Sequence, residues 1–555
     1  MNYNELAELL FPNTSLLPED VEKMFPPRNL PEGAKVTRLA PSPTGFMHFG
    51  TLFPAIVNER LAHQSDGVFY LRIEDTDSKR EVVGAENDLI NTLSYYKINF
   101  DEGALICGDK GAYGPYRQSM RADIYHVFAK QLVREGKAYP CFTSVEEYEH
   151  LQSLDQKAEI KSKDWHDDRT VEREQMLAAR RIDIETVKSK LSQGHPFVLR
   201  IVSDGDGEKK LFCNDLIKGK LELPENDEDF VLLKSDGIPT YHFAHAVDDH
   251  LMGTTHVIRG EEWLPSLPKH LQLFRYLGFK PPKYMHIAQL MKMEGNSKKK
   301  LSKRDHGAAL SDYRTAGYAP ESVIEYVLTL LNSNYEEWRS ANPTLPYTSF
   351  PFSIKKMSTS GALFDFDKLN DVSKNVISRM SSDMVYDYVL DWSKSFDTEF
   401  ADELSSDPEY AKRILSIGRG GKKPRKDICT WADVKPYMSL FYDRYFTQVD
   451  DYPENFDKSD IKKALSLFAD RYDSSLDSNG WFDVVKEISA DLGFAAELKQ
   501  YKLSPESYKG HVGDVSTFIR IAITGKTNSP DLWEIMQIIG YDRSIARLKK
   551  AIDNL

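Results

Sequence analysis

The segment from Val36 to Ile73 constrains the fold most, because its hydrophobic pattern changes from strand to helix and back to strand. A short apolar run, Val36 to Ala40, is followed by PSPTG, which has the composition of a loop. Apolar residues then recur at helical spacing, at Phe53, Ile56, Val57 and Leu61. Gly67 suits the end of that helix, and Val68 to Ile73 is typical of a buried strand. This order predicts a strand–helix–strand unit with parallel strands, and therefore an α/β domain.

Three further regions follow from the pattern of the 555-residue chain. Residues 1–32 are predicted to be an appended segment, because they end in the Pro-rich sequence PPRNLPEG. Residues 115–230 combine helical stretches with many charges and are predicted to be an insertion. Strand-like runs return at Phe230 to Leu233 and at Thr255 to Arg259, and helical patterns dominate beyond about residue 376.

Charge and cysteine content narrow the class of protein. The net charge of −13 argues against nonspecific coating of nucleic acid, although basic runs at residues 297–304 and 418–426 suit a specific RNA partner. The sequence has no run of about 18 apolar residues, so no transmembrane helix is expected. Its four cysteines lie far apart without a CxxC pair, which predicts neither a disulfide framework nor a zinc site and favours the cytosol.

The loop between the first strand and the first helix carries the sequence RLAPSPTGFMHFGT, residues 38–51. Backbone N–H groups at a helix N-terminus are unpaired, and the helix dipole favours anions there. Gly50 permits a phosphate to approach the backbone closely, and His48 can donate a hydrogen bond to it. The loop therefore predicts a phosphate site, although it matches neither a Walker loop nor the GxGxxG pattern.

The run KKKLSKR, residues 298–304, is a second candidate for phosphate binding. Its lysines supply mobile positive charge for a polyphosphate, and Ser302 supplies a hydroxyl group. On its own, such a run is more typical of a solvated basic loop.

Together, the two strings resemble the signatures of class I aminoacyl-tRNA synthetases, with HFGT as the first and KLSKR as the second. Further strings resemble glutamyl-tRNA synthetase of the bacterial type. They are LRIEDTD (71–77), YGPYRQS (113–119), AYPCF (138–142), GIPTYHFAHAVDDHLMG (237–253), VIRGEEW (257–263) and GALFDFDKLN (361–370). The resemblance runs from about Arg38 to the C-terminus and is strong as far as Asn370.

The resemblance implies a multidomain fold that combines an α/β part with an all-α part. A class I Rossmann-like catalytic domain with a parallel sheet is expected to be split by an insertion and followed by a helical anticodon-binding region. The expected segments are an N-terminal extension (1–32), the first catalytic half (33–114), an acceptor-stem-binding insertion (115–237), the second catalytic half (238–292), a stem-contact domain with the KLSKR loop (293–378) and the helical region (379–555).

The resemblance also implies roles for single residues. Catalytic positions are expected at His48, Gly50, Lys300 and Lys303. ATP is expected to be bound by His48, Thr51, Glu262, Trp263, Leu301 and Lys303. Glutamate is expected to be bound by Arg38, Ser42, Glu74, Tyr241, His245 and Arg259. Arg259 should face the substrate side-chain carboxylate, because a guanidinium pairs with a carboxylate through two hydrogen bonds. Contacts to tRNA are expected from Arg80, Arg419 and Arg425.

The chain departs from the family pattern at two places. His245 stands where relatives often have asparagine, so one hydrogen-bonding side chain is replaced by a larger one. Cys141 in AYPCF has no companion cysteine, whereas some relatives bind zinc there, so no zinc is expected. Asp248, Asp249 and His250 could suggest a metal site, but the family match places them in a structural turn between a strand and a helix.

The implied reaction has two steps. The carboxylate of glutamate attacks the α-phosphorus of ATP, which gives glutamyl-adenylate and pyrophosphate, and the terminal ribose hydroxyl of tRNA then takes the acyl group. The expected substrates are L-glutamate, ATP with Mg²⁺ and tRNA(Glu), with tRNA(Gln) as a further candidate. A monomeric enzyme of the cytoplasm, without a membrane partner, is expected.

Three alternatives fit part of the pattern. A related nucleotidyltransferase with a small-molecule acceptor would share the first signature but would not need the long helical C-terminal region. A noncatalytic tRNA-binding homologue would have lost catalytic positions, yet both signatures are intact. A short relative that glutamylates a modified tRNA base lacks the anticodon region. The sequence therefore favours a glutamate–tRNA ligase.

Overall fold

The computed structural model describes residues 2–77, 79–143, 177–301 and 309–555. It divides the chain into two compact units. The first comprises Met1–Asp312 and Val327–Asp365, and the second comprises Tyr313–Tyr326 and Phe366–Leu555. The segment boundaries predicted at residues 114, 237 and 292 fall inside the first unit and stay predictions.

The strands of the described residues all lie in the first unit. They are β1 (Val36–Leu39), β2 (Val68–Leu71), β3 (Glu102–Ala104), β4 (Asp109–Lys110), β5 (Ala138–Cys141), β6 (Val198–Ile201), β7 (Lys210–Asp215), β8 (Gly219–Pro224), β9 (Val231–Leu233), β10 (His256–Gly260), β11 (Lys283–Ile287), β12 (Met291–Glu294) and β13 (Ser297–Lys300).

The α-helices follow in chain order. As far as residue 341 they are Tyr3–Leu10, Pro18–Met24, Leu52–His63, Ala85–Tyr95, Ala122–Arg134, Ile184–Ser192, Tyr241–Leu251, Leu267–Leu277, Leu310–Ala316, Pro320–Leu331 and Tyr335–Ala341. Beyond it they are Phe366–Arg379, Ser382–Phe396, Thr398–Ser406, Pro408–Ser416, Val434–Met438, Lys458–Arg471, Ser478–Asp491, Leu498–Leu503, Val512–Thr524, Leu532–Ile539 and Tyr541–Asn554. Within the described ranges, none of the helices is long and apolar enough to cross a membrane.

Parallel strands form the centre of the first unit. Strand β1 pairs with β2 and β2 with β3, while β10 pairs with β11. The two sets meet where the Thr255 N–H donates to the Val36 carbonyl oxygen over 3.0 Å. The resulting order is β3-β2-β1-β10-β11, with the largely buried helix Leu52–His63 connecting β1 to β2. The predicted strand–helix–strand unit and the α/β class are confirmed.

The strand order reverses between β1 and β10. In open α/β sheets, ligands bind outside the carboxyl ends of the strands at such a reversal, because the two following loops diverge and leave a crevice. Strand β1 ends at Leu39 and β10 ends at Gly260. The loops that begin there carry PSPTG and the glutamates of VIRGEEW, so the fold places both predicted strings at the crevice.

A hairpin from the predicted insertion extends this sheet. Strands β7 and β8 are antiparallel, and Asp215 of β7 pairs in parallel with Tyr284 of β11. Strands β5, β6 and β9 form a separate antiparallel sheet. The chain segment between residues 115 and 237 therefore contributes one edge of the central layer as well as a sheet of its own.

The N-terminal segment is an integral part of the first unit rather than an appendage. Its helix Tyr3–Leu10 packs on the helix Ala122–Arg134. The buried ammonium group of Lys130 donates to the Glu8 carboxylate over 2.8 Å and to the Thr14 carbonyl oxygen over 2.8 Å. A buried lysine with this many partners is costly to release, so it anchors the segment.

The second unit has an all-helical core, as the apolar spacing predicts. Residues Ile461, Leu465 and Phe468 are buried in the helix Lys458–Arg471. Val515, Phe518, Ile519 and Ala522 are buried in the helix Val512–Thr524. These side chains belong to one hydrophobic cluster, so the predicted helical region is confirmed.

Gly67 allows β1 and β2 to approach each other at their N-terminal ends. A Cβ atom at this position would lie 2.7 Å from the Lys35 backbone nitrogen and closer still to its carbonyl oxygen. Because backbone atoms cannot rotate aside, we expect Gly67→Ala to destabilise the protein by about 1–3 kcal/mol, measured by urea unfolding. Gly421→Ala is the control, since a Cβ there meets nothing within 4 Å. Equal unfolding midpoints for the two variants would contradict this account.

Candidate active site

The loop after β1 brings His48 and Gly50 together. His48 has extended backbone angles, and its carbonyl oxygen accepts a hydrogen bond from the Thr51 N–H over 2.9 Å. A single 3-10 turn, Phe49–Thr51, then leads into the helix Leu52–His63. A Cβ atom at Gly50 would lie 3.1 Å from Nδ1 of His48. The imidazole ring therefore lies over Gly50, where a larger residue would displace it.

A short antiparallel bridge joins the first string to the segment that follows the second. His48 pairs with Ala309, and the Leu310 N–H donates to the Met47 carbonyl oxygen over 3.1 Å. Ala309 is the first described residue after the KLSKR run. The fold thus places the segment that follows the second predicted string beside the first string.

The start of the second string lies on a β-hairpin. Strands β12 and β13 pair in antiparallel register, and β13 presents Lys298, Lys299 and Lys300 to solvent. The half-buried Leu301 donates its N–H to the Leu290 carbonyl oxygen over 2.9 Å. Lys303 was predicted to act on the phosphates and lies outside the described residues.

The end of β10 carries two glutamates and a tryptophan. Lys218 pairs with Glu261; burial opposes ionisation of Glu261, but Lys218 outweighs it, so the pKa of this carboxyl is lowered, with Lys300 contributing. Glu262 is exposed, and its carboxylate folds against Gly260, where a Cβ atom would collide with it. Glu261 thus connects β10 to the charge of the lysine run.

Arg259 of β10 is held from three sides. Its Nε–H donates to Nε2 of His286 over 3.0 Å. Its Nη1 donates to the Tyr241 hydroxyl oxygen over 3.2 Å and to Nδ1 of His270 over 3.1 Å. The Tyr284 ring centre lies 5.1 Å from Cζ, and Arg259 is 5% exposed. No carboxylate among the described residues lies within ion-pair distance of this guanidinium.

Burial disfavours the charged forms of the histidines around Arg259 and lowers their pKa values. Burial lowers the pKa of His270 well below its usual value and lowers the pKa of His245 to about 4. Burial also lowers the pKa of His286, although the Asp215 carboxylate, 2.7 Å from its Nδ1, opposes that shift. These rings therefore bind the guanidinium without compensating its charge.

A cluster of buried charges joins β1, β2 and the loop after β2 to the helix Tyr241–Leu251. Its members are Arg38, Arg72, Arg121, Glu74, Asp248 and Asp249. Arg72 donates to Asp249 over 2.7 Å and to Glu74 over 3.1 Å. Arg121 donates to Asp248 over 2.8 Å. Three cations and three carboxylates balance, as buried charge requires.

Two residues predicted to bind glutamate, Arg38 and Glu74, belong to this cluster. Burial opposes the charge of Arg38, but Asp249 outweighs it and raises the pKa of Arg38. Burial raises the pKa of Glu74, although the neighbouring arginines oppose the shift. The Glu74 N–H donates to the Pro41 carbonyl oxygen over 3.0 Å, which brings Glu74 next to the exposed Ser42.

Tyr241 and His245 lie in successive turns of one helix, and their rings stack with centroids 5.7 Å apart. The Tyr241 ring also meets Trp263, with centroids 4.4 Å apart. His245 is fully buried, with Nε2 3.1 Å from the Tyr284 hydroxyl oxygen. Its Nδ1 is 3.0 Å from Asp249 but is not aligned for a hydrogen bond. Tyr241, rather than His245, therefore offers surface to a ligand.

The predicted turn at residues 248–250 is wrong. Asp248, Asp249 and His250 belong to the last turns of the helix Tyr241–Leu251. The two aspartates are buried against arginines, while the His250 ring stacks on Phe279 at 3.6 Å. The resemblance implied a turn there, and the arginines that bury the acidic pair come from distant parts of the chain. Among the described residues, no group of three or more His, Cys, Asp or Glu is arranged to hold a metal ion.

Two arginines predicted to contact tRNA are accessible. Arg80 is exposed and pairs with Asp77 over 2.5 Å. Arg425 is partly exposed and pairs with Asp427 over 2.6 Å. Exposed ion pairs of this kind contribute little to stability, so a phosphate can compete for the cation.

The third, Arg419, is used inside the second unit. Its Nε donates to the Leu415 carbonyl oxygen over 2.6 Å, and its Nη1 donates to the Ile377 carbonyl oxygen over 2.6 Å. Both acceptors lie near helix C-termini, where carbonyl groups lack helical partners. Burial lowers the pKa of Arg419, and its contacts are those of a helix cap.

The sequence pattern did not single out Arg72, Arg121, His270 or His286. For Arg72 a signal exists, since it is a charged residue directly after the apolar run of β2. His270 and His286 carry no comparable signal. They lie on a helix and a strand and meet only through Arg259, which accounts for the omission.

Two family models match the sequence. The family described as "tRNA synthetases class I (E and Q), catalytic domain" matches residues 35–371. The family described as "Anticodon binding domain" matches residues 423–552. The first match contains every described residue of the pocket around Arg259 and of the buried charge cluster.

Similar curated proteins span the whole chain. A glutamate–tRNA ligase of Acetivibrio thermocellus is 48% identical over 554 residues, covering 100% of both chains. One of Clostridium perfringens is 47% identical, covering 99% of both chains. A solved glutamate tRNA ligase from Elizabethkingia meningosepticum, in complex with its amino acid, aligns with a TM-score of 0.70 at 27% identity, covering 94% of this chain and 99% of that one.

Because Asp249 belongs to the buried charge cluster, we expect Asp249→Asn to lower the free energy of unfolding strongly. The change leaves Arg38 and Arg72 buried with too little negative charge, so we expect a loss of about 3–5 kcal/mol in urea unfolding. Asp236→Asn is the control, because Asp236 pairs with Lys234 at the surface over 3.5 Å and should cost under about 1 kcal/mol.

The difference in stability between the wild type and Asp249→Asn should also depend on pH. Burial opposes ionisation of Asp249, but the arginines hold its pKa well below the usual value. The stabilisation by ionised Asp249 is therefore fully present above its pKa in the unfolded chain, about 4. It is lost only as the pH falls through the lower pKa that Asp249 has in the folded protein. A wild-type advantage that vanished well above pH 4 would contradict this assignment.

Proposed function

The chain belongs to the class I tRNA synthetases and, within them, to the glutamate–tRNA ligases, and from this premise we propose how its residues bind the substrates. The enzyme activates L-glutamate with ATP and transfers it to tRNA. The substrate α-carboxylate attacks the α-phosphorus, and pyrophosphate leaves. A ribose hydroxyl of the tRNA 3′-terminal adenosine then attacks the acyl carbon, and AMP leaves.

The binding of glutamate is proposed chiefly from the surroundings of the Arg259 guanidinium. It is buried at the carboxyl end of β10, beside the reversal in strand order, and meets no carboxylate among the described residues. A buried cation without a counter-ion is unfavourable until an anion arrives. We assign that anion as the side-chain carboxylate of glutamate.

Two donors remain for this carboxylate. The Tyr241 hydroxyl accepts a hydrogen bond from Nη1 of Arg259, which leaves its own proton to donate outward. Nη2 of Arg259 makes one long contact of 3.5 Å, to the Trp263 carbonyl oxygen, and so retains donor capacity. A hydroxyl and a guanidinium N–H fit a carboxylate better than an amide, since an amide nitrogen cannot accept.

The end of the glutamate substrate that carries the ammonium group is assigned to the charge cluster. Glu74 is proposed to accept from the substrate ammonium group, helped by Ser42 in the adjoining loop. Burial raises the pKa of Glu74, so a cation that approaches it favours its ionised form. Arg38 holds Asp249 and the surrounding charge in place. His245 is proposed to support Tyr241 from behind.

ATP is assigned to the crevice between the two strings. His48, with Gly50 beneath its ring, and the Thr51 N-terminal turn suit the phosphates. Lys300 and Lys303 are proposed to neutralise the leaving pyrophosphate. Glu262, Trp263 and Leu301 are proposed to border the adenosine. Mg²⁺ is proposed to arrive with ATP, bound chiefly through its phosphates.

The tRNA is assigned to both units. The helical region within residues 423–552 matches an anticodon-binding family, and Arg425 with its neighbouring lysines is proposed to meet tRNA phosphates. Arg80 is proposed to lie near the acceptor end, and Arg419 to brace the helices behind this surface. We propose a monomeric cytosolic enzyme. Charging assays with purified tRNA(Glu) and tRNA(Gln) test whether one or both are substrates.

Arg259→Gln should lower kcat/KM for glutamate severely. The substrate carboxylate loses a charge-assisted bond in a buried pocket, which costs about 2–5 kcal/mol. Glutamine should suffer much less, so the preference for glutamate over glutamine should shrink. The measurement is tRNA charging with each amino acid, with a melting curve for every variant.

Arg275→Gln is the matched control, since Arg275 pairs with Asp204 at the surface. It should leave the preference unchanged. If Arg259→Gln lowers glutamate and glutamine use by the same factor in a folded protein, Arg259 does not read the side-chain carboxylate.

His48→Ala should slow adenylate formation by about 100-fold, because a donor aimed at the reacting phosphate acts mainly in the transition state. Single-turnover measurements with tRNA present give the rate, and ATP titration gives the affinity. His195→Ala is the control, because His195 is exposed and distant in sequence from both strings. An unchanged rate with collapsed ATP affinity would oppose this assignment.

A further inference from the structure

Arg259 lies in the middle of a buried row of hydrogen bonds. On one side its Nη1 meets Nδ1 of His270 over 3.1 Å, and Nε2 of His270 lies 3.0 Å from Nδ1 of His242. On the other side its Nε meets Nε2 of His286 over 3.0 Å, and Nδ1 of His286 lies 2.7 Å from Asp215. His270 and His286 are both fully buried.

The positions of the ring protons on His270 and His286 follow from their contacts with the Arg259 guanidinium. Its nitrogens can only donate, so Nδ1 of His270 and Nε2 of His286 must both be bare acceptors. The ring protons then lie on the opposite nitrogens, which donate to His242 and to Asp215. The two histidines therefore hold opposite tautomers, and protonating either ring would set an N–H against an N–H.

The charge around Arg259 differs from that around the arginines of the buried charge cluster. Arg38, Arg72 and Arg121 each meet a carboxylate directly. Arg259 meets two imidazoles instead, and the nearest carboxylate in its hydrogen-bond row, Asp215, lies beyond the ring of His286. A carboxylate at either histidine position would satisfy the same donors and also cancel the charge.

We propose that His270 and His286 are specificity-determining residues for the amino-acid side chain, because they hold the Arg259 guanidinium as neutral acceptors and leave its charge for the substrate. This inference rests on the proposed role of Arg259. An uncompensated cation favours the anionic side chain of glutamate over the neutral amide of glutamine. A compensated cation would leave only hydrogen bonding, which separates the two side chains far less.

The test is a pair of substitutions at His270 that differ in charge and hardly in shape. Asn and Asp each place an oxygen close to where Nδ1 of the histidine lies, so both can accept from Arg259. Both lose the contact to His242 equally. We expect His270→Asn to keep the preference for glutamate over glutamine within a few-fold. We expect His270→Asp to reduce that preference by about 30-fold or more.

The kinetic pattern separates this role from general damage. Because the side chain is bound in the ground state and in the transition state alike, His270→Asp should raise KM for glutamate more than it lowers kcat. KM for ATP should stay within a few-fold of wild type in both variants. Damage to folding would lower the use of glutamate, glutamine and ATP together, and melting curves would show it.

The two sets of variants separate a failure of the histidine proposal from a failure of the proposed role of Arg259. If Arg259→Gln shrinks the preference but His270→Asp and His270→Asn behave alike, the histidine proposal is overturned and Arg259 keeps its role. If Arg259→Gln leaves the preference unchanged, the role of Arg259 fails and the histidine proposal fails with it. A loss confined to the Asp variant, with glutamine use retained, supports both.

A measurement on the wild-type enzyme keeps the proposal testable should His270→Asp not fold. Nitrogen-15 NMR of histidine-labelled protein, assigned with His270→Asn and His286→Gln, reports which ring nitrogen carries the proton. We expect His270 to be protonated at Nε2 only and His286 at Nδ1 only, from pH 6 to pH 8. An imidazolium at either position in this range would overturn the proposal.

Discussion

The pairing of Asp248 and Asp249 with three buried arginines is the constraint on which the catalytic unit depends. Arg38 extends from β1, Arg72 directly follows β2, and Arg121 precedes the helix Ala122–Arg134, so one acidic pair ties three parts of the chain to one helix. Each of these charges would be unfavourable alone in the interior, and with Glu74, which pairs with Arg72, three carboxylates balance the three arginines. The cluster can therefore form only when strands and helix are all in place.

The surroundings of Arg259 differ from this cluster, because its charge has no carboxylate partner among the described residues. Beside the balanced cluster, Arg259 is held by two imidazole rings and meets no carboxylate among the described residues. The first arrangement balances its charges within the fold, whereas the second leaves Arg259 for the substrate carboxylate that we propose for it. Both lie near the reversal in strand order between β1 and β10, where the loops carrying His48 and Glu262 also begin.

Much of this could be predicted from local pattern. The strand–helix–strand order around the helix Leu52–His63 follows from the spacing of apolar residues, and the roles proposed for His48 and Arg259 come from the resemblance of their strings to the family. The pattern misleads where a polar residue has distant partners. The resemblance assigned Asp249 to a turn, but it lies buried in a helix, and Arg419 was expected to contact tRNA, but its side chain caps helix ends.

The α/β class, the helical C-terminal region and the family can all be predicted from the sequence alone, because each depends on periodicity or on contiguous strings. Which buried charges are compensated, in contrast, depends on the folded chain. Whether Arg259 meets a carboxylate or an imidazole depends on His270 and His286, which come from different elements and are brought to it by folding. Compensation depends on distance and burial in three dimensions, and neither quantity is encoded in the spacing of residues along the chain.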